Sequence, residues 1–126
     1  MSLLSSLFGN ASQVDAQKIA QDYAQILFDG EEVACAFKMV RDVYILTNKR
    51  FILIDKQGLT GRKTEYFSVP YKAITRFSVE TAGHFDLDAE LKIWISSAQE
   101  PAIQKTFNRS ANIYQVQQIL AQYVCK

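Results

Sequence analysis

Cysteine is scarce. Cys35 and Cys125 are the only two in 126 residues. Two thiols supply neither a disulfide framework nor a zinc site, so reduced thiols in a cytosolic protein are expected. Histidine is scarcer still: His84 stands alone in a polar connection with Asp86 and Asp88. Two carboxylates near an imidazole have the chemistry for a metal or an acid–base pair, but a lone loop histidine reads as an exposed side chain. No serine or cysteine sits in a nucleophile motif, so the chain is read as no enzyme, with no cofactor and no metal. Net charge is also nearly absent, since 14 basic and 13 acidic residues leave +1. No global field then draws the chain to nucleic acid or to an anionic membrane, and any basic site must be local. No apolar run approaches the ~18 residues of a membrane span. Residues 1–10 carry no Lys or Arg ahead of their short apolar content, which makes a poor signal peptide. A soluble, cytoplasmic protein is the expectation. The length fits one domain, residues 1–126, and 48% hydrophobic residues can build a core without disulfides or metal.

What the chain does have is short, apolar, strand-like runs. Residues 42–69 read DVYILTNKRFILIDKQGLTGRKTEYFSV and hold three of them. Tyr44, Ile45, Leu46 and Thr47 are separated from Phe51, Ile52, Leu53 and Ile54 by the polar turn Asn48-Lys49. A second polar segment, with Gly58 and Gly61, leads to Glu65, Tyr66, Phe67, Ser68 and Val69. β-Branched and aromatic residues favour a pleated surface, and Gly and Asn punctuate it. Upstream, Val33, Cys35, Phe37 and Met39 alternate with Ala34, Ala36 and Lys38, as in a half-buried strand. Downstream, Pro70 interrupts the ladder. Strands are then expected near 73–81, with Thr75, Phe77 and Val79 on one face, near 91–95, and over 103–107. Seven short strands at roughly ten-residue spacing suggest a sandwich or a partly closed barrel.

Helical spacing appears at the two ends. Ala16, Ile19, Ala20, Tyr23, Ile26 and Leu27 form one apolar face, with Ser12 as the opening residue and Asp29-Gly30 as the stop, which predicts a helix over about 12–28. Near the other end, Ile113, Val116, Ile119, Leu120, Tyr123 and Val124 share a face, with Asn108 or Ser110 as the expected cap. The polar side of that helix carries amides rather than charges.

The turn and its neighbours carry a family resemblance. LTNKRFILIDKQGLTGRKTEYFSVPYKAITRF, residues 46–77, resembles the bacterial pleckstrin homology (PH) domains. These share a Thr-Asn-x-Arg turn, an apolar strand ending in Asp, a Gly-containing hairpin, and an aromatic strand leading to Pro-Tyr and Ile. The resemblance implies a mainly β fold: a PH-like seven-stranded antiparallel barrel or sandwich over residues 32–126, with a C-terminal capping helix. Residues 1–31 then form an extra N-terminal helical extension. It also implies a non-enzymatic module that self-associates into a ring-like homo-oligomer. Eukaryotic PH domains that bind phosphoinositides use a basic pattern across their first two strands and a long loop between them. Here Lys38 and Arg41 are followed at once by Asp42, with room for only a tight turn.

Two sets of candidate residues follow. The strand over 51–54 is apolar on both faces, and Trp94 should point away from a core built by Leu91, Ile93 and Ile95. An open sheet normally leaves one face polar, so something must cover the second face: the N-terminal helix or a second subunit. Leu3, Leu4, Leu7, Phe8, Ile52, Ile54 and Trp94 are therefore the candidate oligomer interface. As the alternative, Lys49, Arg50, Lys56, Arg62 and Lys63 are a candidate contact for an anionic lipid or phosphate ligand. Arg50 also has a structural reading, tying the turn to a carboxylate or a carbonyl, while Thr47 bonds back to the backbone and Asn48 tolerates left-handed geometry. The segment GLTGRKT is no phosphate loop, because Arg62 interrupts the Gly-Lys pair and a strand follows instead of a helix.

Overall fold

The computed structural model describes residues 11–57, 62–81, 88–108 and 111–126. Along the chain they form β1 (Ser12–Val14), α1 (Ala16–Asp22), β2 (Val33–Lys38), β3 (Val43–Thr47), β4 (Arg50–Gln57) and β5 (Lys63–Pro70). These are followed by β6 (Ile74–Thr81), β7 (Ala89–Ile95), β8 (Ile103–Phe107) and α2 (Ile113–Val124). Single 3-10 turns sit at Ala24–Ile26 and Tyr71–Ala73. β1 to β5 make an antiparallel sheet in chain order, and β6 to β8 make a second. The fold is mainly β and PH-like, with the expected C-terminal helix. The seven expected strands are all present, within one or two residues of the positions their alternation indicates.

The eighth strand is a correction. Ser12 does not open a helix. Ser12, Gln13 and Val14 pair with Lys38, Phe37 and Ala36, and the Ser12 hydroxyl accepts from Asn108 Nδ2 at 2.6 Å. Asp15, in extended geometry, caps α1 instead by accepting from the Gln17 N–H. Ahead of it, Ala11 bridges in parallel to Phe107, donating to the Thr106 carbonyl and accepting from the Asn108 N–H. The start of the described chain thus closes the two sheets at the β2/β8 corner. Among the described residues, no strand pairing joins β5 to β6 at the opposite corner.

The helix also ends early, because Tyr23 caps it at Asp22 and the chain drops into the 3-10 turn. Gly30 then turns with φ +92°, a region that favours glycine. At the far end Asn112, and not Asn108, caps α2 by accepting from the Gln115 N–H; Ser110 lies outside the described residues.

Two apolar layers flank the first sheet. Between the sheets, Cys35, Phe37, Leu46, Phe51 and Leu53 meet Leu91, Ile93 and Phe107, closed over by Ile113, Val116 and Leu120 of α2. Phe37 meets Phe107 edge-on at 4.8 Å. On the outer face, Ala36, Val43, Ile45, Ile52 and Ile54 pack under Ile19 of α1, with Tyr23, Ile26 and Leu27 beside it. A register shift between Val33 and Cys35 moves Val33 to this outer layer, away from the face that unbroken alternation assigns it.

This packing makes two predictions. Ile52→Ala, in a fully buried site, should cost about 2–5 kcal/mol of stability. Tyr114→Ala, at 65% exposure, should stay within about 0.5 kcal/mol. Urea midpoints measure both. Cys35 is buried, which pushes its thiol up to about 12, whereas Cys125 is exposed. A thiol reagent at mildly alkaline pH should therefore label one cysteine in the native protein and both in urea.

Candidate interaction surfaces

The Thr-Asn-x-Arg turn joins β3 to β4, and its Thr47, Asn48 and Arg50 side chains are all engaged. Thr47 Oγ1 accepts from the N–H groups of Lys49 and Arg50, each at 3.0 Å, and donates to Glu31 Oε2 at 2.6 Å. Asn48 exchanges bonds with the backbone of Glu32: its N–H donates to the carbonyl and its Oδ1 accepts from the N–H, both at 3.0 Å. Its role is this docking and not a left-handed backbone, since Ser96 is the one non-glycine residue with positive φ among the described residues. Arg50 forks onto Glu31, with Nε to Oε2 and Nη2 to Oε1 at 2.9 Å each. Its remaining donors reach Ser68 Oγ at 2.8 Å and the Ile26 carbonyl at 2.6 Å. Tyr71 donates to the Thr47 carbonyl at 2.7 Å.

Glu31 is the partner that pattern reading does not find. It lies 19 positions before Arg50, just after the Gly30 turn, and nothing in its neighbourhood marks it as buried. Its side chain is nevertheless fully buried. Burial alone pushes its carboxyl up. The hydrogen bonds from Arg50, Thr47 and the Phe28 N–H, with the Arg50 charge, outweigh that and leave it below its ordinary value. The same bond to Glu31 holds Arg50 more firmly protonated.

The five basic candidates do not all come together. Arg50 is neutralised by Glu31. Lys49 precedes β4 and Lys56 is near its end, roughly 23 Å apart at about 3.3 Å per residue. Lys56 and Lys63 lie with Arg62 at the β4–β5 end, paired across to Thr64 and Gln57. Beside that end, a cleft of about 350 Å3 between β3 to β5 and β8 is lined by Asp42, Asp55 and Glu65 against one ammonium, Lys105. Its charge is wrong for an anion. The tight turn between β2 and β3 is present, with the Met39 N–H donating to the Asp42 carbonyl at 2.9 Å.

The apolar candidates fare differently from one another. Leu3, Leu4, Leu7 and Phe8 lie outside the described residues, as do His84, Asp86 and the Gly58 and Gly61 hairpin. Ile52 and Ile54 are buried at 0% and 1% exposure beneath α1. Their cover comes from within the chain, which removes them from any free surface. Trp94 does point away from the inter-sheet core, but it is half-buried. Arg76 lies 4.7 Å above its ring, and its Nε1 donates to the Gln99 carbonyl at 2.9 Å. Among the described residues, the large exposed apolar ones are Phe28, Val40, Tyr66, Phe67 and Tyr114. Tyr66 and Phe67 adjoin on β5, one to each face of the sheet. β5 ends the five-stranded sheet, so its outer edge has no strand partner among the described residues.

This geometry, a corner-closed pair of sheets with one C-terminal helix over the core, has known counterparts. A family model described as the bacterial PH domain matches residues 2–124. The chain belongs to that family. The match includes the N-terminal part as well as the strands. The chain is 54% identical over 121 residues to the uncharacterized protein YjqA of Bacillus subtilis (strain 168), covering 96% of this chain and 97% of that one. It is also similar to the crystal structure of a DUF1696 family protein with a pleckstrin-homology domain from Shewanella loihica PV-4. There the TM-score is 0.81 and the identity 48%, over 92% of this chain and 98% of that one. A pleckstrin homology domain from Shewanella amazonensis SB2B matches with TM-score 0.69 and 53% identity, over 96% and 97% of the two chains. PH domains are generally non-enzymatic interaction modules. Among the described residues, no helix is long and apolar enough to cross a membrane, and no cluster of three His, Cys, Asp or Glu stands ready for a metal.

The buried pair sets a pH dependence. Glu31→Gln should cost about 1–3 kcal/mol at neutral pH, because Arg50 loses its counter-charge. A depressed carboxyl stabilises the fold above its unfolded value, about 4.3 for Glu, and loses that contribution as pH falls through the lower folded value. The gap in urea midpoint between wild type and variant should be full at pH 7 and close toward pH 3. A gap that widens on acidification contradicts the assignment.

Proposed function

We propose that this chain is a non-enzymatic PH-like interaction module that self-associates, with β5 as its contact strand. The observation that carries this reading is the open β5 edge. Among the described residues it has no strand partner, and it is flanked by Tyr66 and Phe67, which are 50% and 45% exposed on opposite faces. An unprotected edge with apolar flanks favours strand addition by a second chain. Aromatic residues are the side chains that make such contacts strong. A symmetric β5–β5 contact gives a dimer, whereas a head-to-tail contact that closes gives a ring. Ile52 and Ile54 have no part in it, because α1 covers them.

Light scattering behind a sizing column tests the proposal. The expected mass is a multiple of the 14.3 kDa chain at micromolar concentration. Tyr66→Lys with Phe67→Lys should shift it toward the monomer while the far-ultraviolet circular dichroism is unchanged, since charge on an edge strand opposes pairing. A wild-type chain that stays monomeric across the micromolar range refutes self-association. An oligomer that the double variant leaves intact refutes β5 as the contact.

A further inference from the structure

The direction of hydrogen bonding along β5 follows from its neighbours. Arg50 turns both backbone groups toward β3: its N–H donates to Thr47 Oγ1 and its carbonyl accepts from the same hydroxyl. Direction alternates along a strand, so Phe51, Leu53 and Asp55 bond across to β5, opposite Val69, Phe67 and Glu65. Thr64, Tyr66 and Ser68 therefore direct their N–H and carbonyl groups to the outer edge. Pro70 shares their parity, and the edge is where a residue without an N–H is tolerated. Side chains alternate as well. Glu65 and Phe67 line the cleft of about 350 Å3 between β3 to β5 and β8, and Tyr66 lies on the other face.

On the cleft side, neighbouring strands place like residues in rows. Glu65 is directly opposite Asp55. Asp42, one residue before the Val43–Ile54 pair, comes next in line. Three carboxylates thus run side by side from β3 to the β5 edge, although like charges directly opposite each other destabilise a sheet. The adjacent row is Phe67, Leu53 and Tyr44. One ammonium, Lys105, lines the cleft and lies 5.5 Å over the Tyr44 ring, so the lining keeps an excess of negative charge. None of the three carboxylates has an ion-pair partner among the described residues. Asp42 accepts from the Lys56 N–H and Asp55 from Gln57 Nε2, which are neutral donors. Burial, and then the charges of Asp42 and Asp55, push the Tyr44 phenol up.

A strand added beside β5 meets both rows. Its residue opposite Glu65 extends the carboxylate row, where a cation relieves the repulsion. Its residue opposite Phe67, two positions away, extends the row of Phe67 and Leu53. The β5 strand of a second copy does not supply this pair. Its one cation is Lys63. With Lys63 opposite Glu65, an antiparallel pairing sets Gly61 opposite Phe67, and a parallel pairing sets Glu65 there.

We propose that the β5 edge and the cleft beside it take an extended segment of another protein as an added strand, with a Lys or Arg opposite Glu65 and an apolar side chain opposite Phe67. Main-chain bonds supply affinity, and the two side-chain positions supply selection. This docking uses the same edge as the self-association proposed above but does not depend on it.

The probe is a short fluorescein-labelled peptide with the core valine–threonine–arginine–threonine–valine, which fits either strand direction. Its control carries glutamate in place of arginine. Fluorescence anisotropy follows both from nanomolar to micromolar protein, at low and high salt. The expected result is saturable, salt-weakened binding that favours the arginine peptide about tenfold or more. Glu65→Lys should bring the two peptides within about twofold of each other. Glu32→Lys, the same charge change on an exposed side chain beside the β3–β4 turn, should keep the preference. Tyr66→Pro removes an N–H directed away from β4 and should weaken both peptides together. Circular dichroism verifies that each variant folds, and light scattering without peptide reads self-association separately, so either proposal can fail alone. Equal binding of the two peptides, a preference that survives Glu65→Lys, or binding indifferent to Tyr66→Pro overturns the docking. So does an absence of binding, and if the chain is then oligomeric, a second copy is the occupant of the edge.

Discussion

The structure depends on one constraint: β3 and β4 are apolar on both faces. Phe51 and Leu53 face the second sheet, while Val43, Ile45, Ile52 and Ile54 face outward. Burying a side chain of this size contributes roughly 1.5–3 kcal/mol. Those four outward residues together represent about 6–12 kcal/mol, an upper bound that is comparable to the whole net stability of a domain. A two-sheet barrel alone leaves that surface in water. The N-terminal extension is therefore part of the core in energetic terms. β1 zips onto β2, Ala11 bridges to β8, and α1 lies across the outward isoleucines. The family match over residues 2–124 agrees with an extension that is integral to the domain.

Apolar cover does not by itself set the position of the segment between α1 and β2. The buried Glu31–Arg50 fork does. It fixes the Gly30 turn against the β3–β4 turn, and Arg50 reaches further to the Ile26 carbonyl that follows α1. A buried carboxylate without a partner is costly, so the pair discriminates between this docking and any slipped alternative. Thr47 completes the set, with both its lone pairs and its proton engaged. No buried side-chain polar atom is left unpaired among the described residues. The motif that carries the family resemblance is thus a docking device, and its arginine is unavailable for ligand.

Charge on the surface is segregated despite a net value near zero. Carboxylates dominate the cleft by β3 to β5, which Phe67 also lines, and lysines dominate the one by Tyr71 and Tyr123. A chain with +1 overall still groups lysines at one end.

Strand periodicity and the C-terminal helix were legible in the sequence, because alternation and 3.6-residue spacing are local consequences of which face is buried. The over-apolar run at 51–54 announced that its second face needs cover, and the Thr47–Arg50 turn pointed to the family. The same local rules misplaced Ser12–Val14, whose strand character comes from pairing with residues two dozen positions away. They also missed Glu31 and grouped lysines by proximity along the chain. Sequence by itself determined the elements and the demand for a second layer. Tertiary structure alone decided that α1 meets that demand, that Arg50 is neutralised by a distant glutamate, and that Lys49, Lys72 and Lys126 share a cleft. Each of those outcomes rests on long-range packing and desolvation, which no window of neighbouring residues encodes.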